Sequence, residues 1–208
     1  MNIYHKLNNN KNITLIFGGF ASHYSHFLPF FSDNIIIVYG YNTLKCDNLV
    51  KILQDNNIQV DKVVAFSMGV WVFYMVYESL KVFVKDSMKI AINGTGFGID
   101  KIYGINPTLF KAVYRNFDFQ TFVSNLFGGF ICEEFLFLEI PLLKDELLFF
   151  INNHQAPNEF IAWDKVYVSK NDLIFSSRSQ VRFWEREELL GKVSFIDAPH
   201  FAFFDLEI

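Results

Sequence analysis

Residues 63–71 read Val63-Val64-Ala65-Phe66-Ser67-Met68-Gly69-Val70-Trp71, and no other stretch limits the possible folds as strongly. A short apolar run rich in β-branched residues enters a small–any–Ser–any–Gly turn, and a long apolar helical pattern leaves it. That is the sequence form of a strand turning sharply into a helix, with one serine hydroxyl held at the tip. The small flanking residues have a steric reason. In so tight a turn, side chains two before and two after the serine press on neighbouring backbone, so Gly69 and Ala65 fit where leucine would not. The usual pattern has glycine in both places; Ala65 is a departure.

The remaining chain supplies the sheet that such a turn requires. Residues 12–17, 34–39, 62–66 and 88–93 read as strands, and residues 47–57 and 68–84 as helices, the first with Leu49, Ile52 and Leu53 on one side. Strands alternating with helices imply a mostly parallel sheet with helices on both faces. After Gly98 the rhythm breaks. Aromatic-rich helical segments follow, punctuated by Pro107, Gly128-Gly129, Pro141 and Pro157. We expect these to form a small helical cap insertion, about residues 100–163, over the carboxyl edge of the sheet. Residues 165–169 resume as a strand, 177–190 as a helix and 192–197 as a last strand. One domain of 208 residues is the simplest organisation.

Composition excludes several classes. With 51% hydrophobic and 19% charged residues, the chain has the makings of a packed core and not of a disordered segment. A net charge of −4 and the lack of any Lys/Arg block give no attraction to nucleic acid. No membrane span is expected: the apolar stretch at residues 63–77 is shorter than about 18 residues, and Glu133, Glu134 and Glu139 interrupt residues 122–143. The amino-terminal residues lack the apolar core of a signal peptide. Cys46 and Cys132 lack metal-ligand spacing and read as free thiols in a reducing cytoplasm. The 26 Phe accompany abundant Asn, Ile and Lys, a bias consistent with an AT-rich coding sequence, so no single ring is assigned a function.

A serine hydroxyl is a poor nucleophile at neutral pH unless a base takes its proton. Histidine is the usual base, with a carboxylate fixing its tautomer and stabilising the imidazolium. In α/β-hydrolases these groups come in the chain order Ser, acid, His. Here Ser67 follows one strand, Asp172 lies just past a later one, and His200 lies just past the last. In a parallel sheet all three reach the same edge. Asp197 is a competing acid, but it ends a strand only three residues before His200 and is awkwardly placed to reach the far imidazole nitrogen. His5 and His154 have no such context, and His23 and His26, in the loop after the first strand, read as structural. An oxyanion needs two backbone donors: the Met68 amide, next to the nucleophile, and the Phe20 amide in the Gly18-Gly19-Phe20 loop. That loop does not read as a phosphate cradle, since Gly-x-Gly-x-x-Gly and a following P-loop lysine are missing.

Four strings together carry a family likeness: Phe17-Gly18-Gly19-Phe20, Ala65-Phe66-Ser67-Met68-Gly69-Val70-Trp71, Ser169-Lys170-Asn171-Asp172-Leu173-Ile174-Phe175 and Asp197-Ala198-Pro199-His200-Phe201-Ala202-Phe203. They resemble the BioG-type pimeloyl-acyl-carrier-protein methyl ester esterases of biotin synthesis, over nearly the whole chain with the cap least covered. A Gly-Trp often follows the first strand in that family; Gly19-Phe20 keeps the backbone donor and changes the ring. The resemblance implies a small α/β-hydrolase core with a short helical cap, no metal or organic cofactor, and hydrolysis of the methyl ester of pimeloyl carried on acyl carrier protein. The residues alone support a serine hydrolase of that fold. A thioesterase or a generalist short-chain carboxylesterase would use the same three residues, and an inactive hydrolase fold serving as a binding module is a further alternative.

Acyl carrier proteins are acidic, and this chain is acidic overall, so steering requires a local basic patch. Lys101, Lys111 and Arg115 occur in the cap with no acid between them. Arg178, Arg182 and Arg186 share a helix face at four-residue spacing, but Glu185, Glu187 and Glu188 lie nearby. The cap set is the preferred docking candidate.

Overall fold

The computed structural model describes residues 1–129 and 135–206. Cys132, Glu133 and Glu134 lie outside the described residues. The strands are β1 (Asn2–Lys6), β2 (Ile13–Phe17), β3 (Ile35–Tyr39), β4 (Val60–Phe66), β5 (Met88–Ile92), β6 (Lys165–Ser169) and β7 (Val193–Ile196). Among the described residues they form one sheet in the order β1-β3-β2-β4-β5-β6-β7. All neighbouring pairs are parallel except β1 with β3. This is an α/β-hydrolase fold, a mostly parallel sheet with helices packed on it, as the strand–helix rhythm predicts.

The helices are α1 (Asp47–Asp55), α2 (Met68–Val84), α3 (Pro107–Arg115), α4 (Phe119–Phe127), α5 (Ile140–Asn153) and α6 (Ser177–Arg186). Helices α1, α2, α5 and α6 share one core cluster with the sheet, through Leu49, Leu53, Trp71, Phe73, Leu80, Leu147, Phe150, Phe183 and Trp184. Burial of each such side chain contributes roughly 1.5–3 kcal/mol. The other face is covered differently: by the end of α4, by short 3-10 turns at Tyr24–His26 and Ala202–Asp205, and by aromatic loops. Phe27, Phe31, Phe66, Phe127, Phe201 and Phe203 pack there; the Phe66 and Phe201 rings meet edge-on at 5.7 Å. Large planar rings cover this face where, among the described residues, no long helix does, and the abundance of Phe thus has a packing consequence.

Two boundaries and one whole strand differ from the sequence reading in an informative way. Strand β4 begins two residues early, at Val60, because Val60 pairs with Ile13 across a register irregularity. Helix α6 stops at Arg186, since Glu188 adopts a positive φ of 58° and ends the helical run. Strand β1 was not anticipated: its short alternation is diluted by His5 and Lys6, and it pairs antiparallel at the sheet edge, where polar residues are tolerated. No helix among the described residues is long and apolar enough to cross a membrane. The segment between β5 and β6 holds α3, α4 and α5.

Candidate active site

The strand-to-helix turn puts Ser67 in a conformation an L residue rarely adopts, with φ 55° and ψ −126°. Such strain persists only where the surroundings over-determine it. Here the Ser67 N–H donates to the Ile92 carbonyl at 2.9 Å, and its own carbonyl accepts from Val70 N at 3.1 Å. Gly69 is required on contact grounds: a Cβ there would lie 2.2 Å from the Phe17 carbonyl oxygen and 2.4 Å from that of Gly18. Ala65, on β4, is fully buried, and its methyl is accommodated.

The structure brings Ser67, His200 and Asp172 together. Ser67 Oγ lies 2.8 Å from His200 Nε2, and His200 Nδ1 lies 2.7 Å from Asp172 Oδ2. The His200 side chain is 2% exposed and that of Asp172 is fully buried. Asp172 Oδ1 also accepts from the Ile174 and Phe175 backbone N–H groups at 2.9 and 2.7 Å, and Gln180 Nε2 donates to Oδ2 at 3.3 Å. Asp197 instead accepts from Asn171 at 2.7 Å and is exposed, away from His200 Nδ1. With the proton on Nδ1, the imidazole presents a lone pair on Nε2 to the serine hydroxyl, the arrangement needed for proton removal.

Asn93 holds this edge together. It is buried with φ 49°; its amide donates to Ser169 Oγ and to the His200 carbonyl, both at 2.7 Å, and accepts from Ser169 N at 2.7 Å. Three strand ends are thereby tied to one side chain. Neither Asn93 nor Gln180 was anticipated: an Asn before Gly94 reads as ordinary turn chemistry, and a Gln in a polar helix reads as solvated.

A cavity of about 470 Å³ opens over Ser67 and His200. Its walls are mainly apolar, from Phe20, Met68, Leu109, Phe110, Val113, Phe117, Phe122, Leu126, Leu147 and Ile174, with Asn116, Asp118, Thr121 and Asn125 adding polarity. Helices α3 and α4 supply much of that lining. A wider depression of about 770 Å³ beside Lys170, Asn171 and Asp197 includes neither Ser67 nor His200 in its walls. Gly19 abuts the nucleophile, since a Cβ there would come within 2.8 Å of Ser67 Cβ. The Phe20 loop therefore runs beside Ser67. Met68 opens α2, where the first N–H groups have no partner within the helix. His23 and His26 line neither cavity; each caps the 3-10 turn after β2, and His26, buried against Phe135, has its pKa pushed down to about 4 by desolvation.

Lys101, Lys111 and Arg115 are exposed, and none forms an ion pair among the described residues. Lys111 and Arg115 lie on α3, which also presents Leu109 and Val113 to the cavity. Arg186, from the rival set, is engaged otherwise: it stacks over Phe97 at 4.9 Å and Tyr103 at 5.3 Å and lies 3.5 Å from Glu187. Among the described residues, no group of three or more His, Cys, Asp or Glu is arranged to hold a metal ion.

A family model described as pimeloyl-ACP methyl esterase BioG matches residues 1–206. Over 203 residues the chain is 29% identical to a malonyl-[acyl-carrier protein] O-methyltransferase of Bacteroides fragilis; the match covers 92% of this chain and 40% of that protein. A Haemophilus influenzae protein of unstated function is 28% identical over 189 residues, with 82% of each chain covered. Among solved structures, BioG from Haemophilus influenzae matches with a TM-score of 0.76 at 22% identity, covering 99% of this chain and 96% of that one. An esterase from Exiguobacterium antarcticum matches with a TM-score of 0.64 at 12% identity, covering 98% and 89%. At such identities the structural likenesses establish the fold alone.

Proposed function

Since the chain belongs to the pimeloyl-ACP methyl esterase BioG family, we propose that it hydrolyses the methyl ester of pimeloyl-acyl-carrier protein in biotin biosynthesis, through an acyl-enzyme on Ser67. The observation that carries the mechanism is the continuous line Ser67 Oγ–His200 Nε2 and His200 Nδ1–Asp172 Oδ2, at 2.8 and 2.7 Å, under an apolar cavity. Ser67 Oγ attacks the ester carbonyl while His200 takes its proton. The carbonyl oxygen becomes an oxyanion, held by the Phe20 and Met68 amides. Collapse expels methanol, which receives the proton from His200. Water then attacks the acyl-enzyme, again deprotonated by His200, and releases the free carboxylate and Ser67.

The apolar walls suit a methylene chain, and an uncharged methyl ester suits a site without a cation. Apart from His200, the only ionisable residue lining the cavity among the described residues is Asp118. A carrier-protein substrate is supported by the family and by the relative named as a malonyl-[acyl-carrier protein] O-methyltransferase, which contains a segment similar to this chain. In our reading the β5–β6 insertion is a cap, and the exposed Lys101, with Lys111 and Arg115 on the helix that lines the cavity, receives the acidic carrier. We assign the reaction to the cytoplasm, in keeping with the free, buried Cys46.

The test compares purified protein on methyl pimeloyl-carrier protein, the pimeloyl-carrier thioester itself and free methyl pimelate. Methanol release with preference for the carrier-linked ester is expected. Thioester cleavage at a comparable rate would replace the reading with a thioesterase, and equal rates on the free and carried esters with a generalist esterase. Failure of a fluorophosphonate to label Ser67 would point to an inactive binding module.

A further inference from the structure

Glu146 is a buried carboxyl that the proposed reaction does not use. It sits on α5, 3% exposed, and reaches two loops at the carboxyl edge of the sheet. Its Oε2 accepts from the Ala21 N–H at 3.0 Å and its Oε1 from the Tyr41 N–H at 2.9 Å. Ala21 follows Phe20 directly and is held at φ 60°, a conformation that a residue with a Cβ adopts only when its surroundings impose it. The same loop is fastened at its other end, where the Tyr41 hydroxyl donates to the Gly18 carbonyl at 2.9 Å. Phe20 thus lies between two fixed points, with its ring against Phe117 and Phe122.

We propose that Glu146 is a positioning residue for ester hydrolysis: its carboxylate on α5 fixes the Ala21 amide and thereby the direction of the Phe20 N–H. This rests on the reading of the Phe20 amide as an oxyanion donor. Two acceptor oxygens are needed, one for each loop, and only the ionised carboxylate offers both without a competing proton. Burial pushes the Glu146 pKa up to about 7, opposed by the two amide bonds and by the Met1 amino group. The titratable groups that face it are the Tyr41 phenol, whose own pKa burial and Glu146 raise, and that amino group, which donates to Asn42. On its own helix, Lys144 lies over the Tyr114 ring and Asp145 is exposed. The loop is therefore held firmly above neutrality and loosens as Glu146 is protonated.

Glu146→Gln keeps the shape but offers one acceptor oxygen, and its NH₂ meets the other backbone donor. The variant is compared with the wild type on the carrier-linked ester and on an acyl trifluoromethyl ketone, whose serine adduct carries an oxyanion. We expect kcat to fall about 10- to 100-fold and affinity for the ketone to fall in proportion, while KM stays within about twofold. Unchanged kcat and ketone affinity would overturn the proposal alone. A wild-type enzyme indifferent to the ketone would overturn the serine-hydrolase reading and this inference with it. A measurement on a protein that keeps Glu146 covers the case in which the Gln variant misfolds. In ¹⁵N-labelled His200→Ala protein, which removes the neighbouring imidazole, the Ala21 and Tyr41 amide protons should titrate together with one midpoint near pH 7. Amide resonances that stay still from about pH 5.5 to 8.5 would overturn it.

Discussion

A carboxylate that accepts from Ile174 N, Phe175 N, Gln180 Nε2 and His200 Nδ1 has no freedom to turn. This is how the fully buried Asp172 side chain keeps its polar atoms partnered, and why it can dictate the tautomer of His200. Replacing it by Asn leaves the volume but can point an NH₂ at Nδ1, which favours the wrong tautomer. Asp172→Asn is therefore expected to fold and to lose most turnover. Ser67→Ala and His200→Ala should each lose roughly 10³-fold or more, because the three act as a unit. Asp197→Asn alters only the exposed pair with Asn171 and should stay near wild type in kcat/KM. A steady-state comparison of the four variants checks these assignments, and an inactive Asp197→Asn beside an active Asp172→Asn would exchange the two acids.

At the scale of elements, what the sequence makes legible is whatever a local pattern encodes. The apolar runs ending in Gly18, Gly40, the Ser67 turn and Gly94 mark β2 to β5, and their common direction brings residues from distant strands to one edge. Asn93 and Glu146 are illegible for the opposite reason: each is an ordinary polar residue whose partners lie 76 to 125 positions away. Asn93→Ala removes three buried hydrogen bonds that join β5, β6 and the His200 loop. It should lower stability by roughly 2–3 kcal/mol and turnover about tenfold through displacement of the imidazole; urea unfolding and kcat measured together check this. Helix α3 is a case in between. Its pattern foretells one apolar face and the cations Lys111 and Arg115, but only the fold brings both beside the cavity. Neutralising these two with Lys101 should lower kcat/KM on the carrier-linked ester about three- to tenfold and flatten its salt dependence, while a small neutral ester stays within about twofold. Equal losses on both substrates would mean damage to α3 and not to an encounter surface.

For the whole molecule, the buried groups Glu146 and His26 pull stability in opposite directions with pH. The Glu146 pKa is raised by burial from 4.5 to about 7. The stability it contributes is complete below the unfolded value and is lost as pH rises through the folded one. At about 1.4 kcal/mol per pH unit, the ionised carboxylate costs the fold roughly 3 kcal/mol above neutrality. The His26 pKa is lowered by burial from 6.5 to about 4. Its contribution is present above the unfolded value and is lost as pH falls through the folded one, by a similar amount. Between about pH 4.5 and 6.5 the two slopes nearly cancel, so wild-type stability should change little there. Glu146→Gln removes one slope and leaves the other. Its unfolding free energy should rise by roughly 2–3 kcal/mol across the same interval, as measured by urea titration at several pH values. Parallel curves for the two proteins would show that Glu146 does not titrate in this window. The expected divergence has a functional meaning: the fold favours the protonated carboxyl, whereas the loop beside Ser67 is held in place by the ionised one.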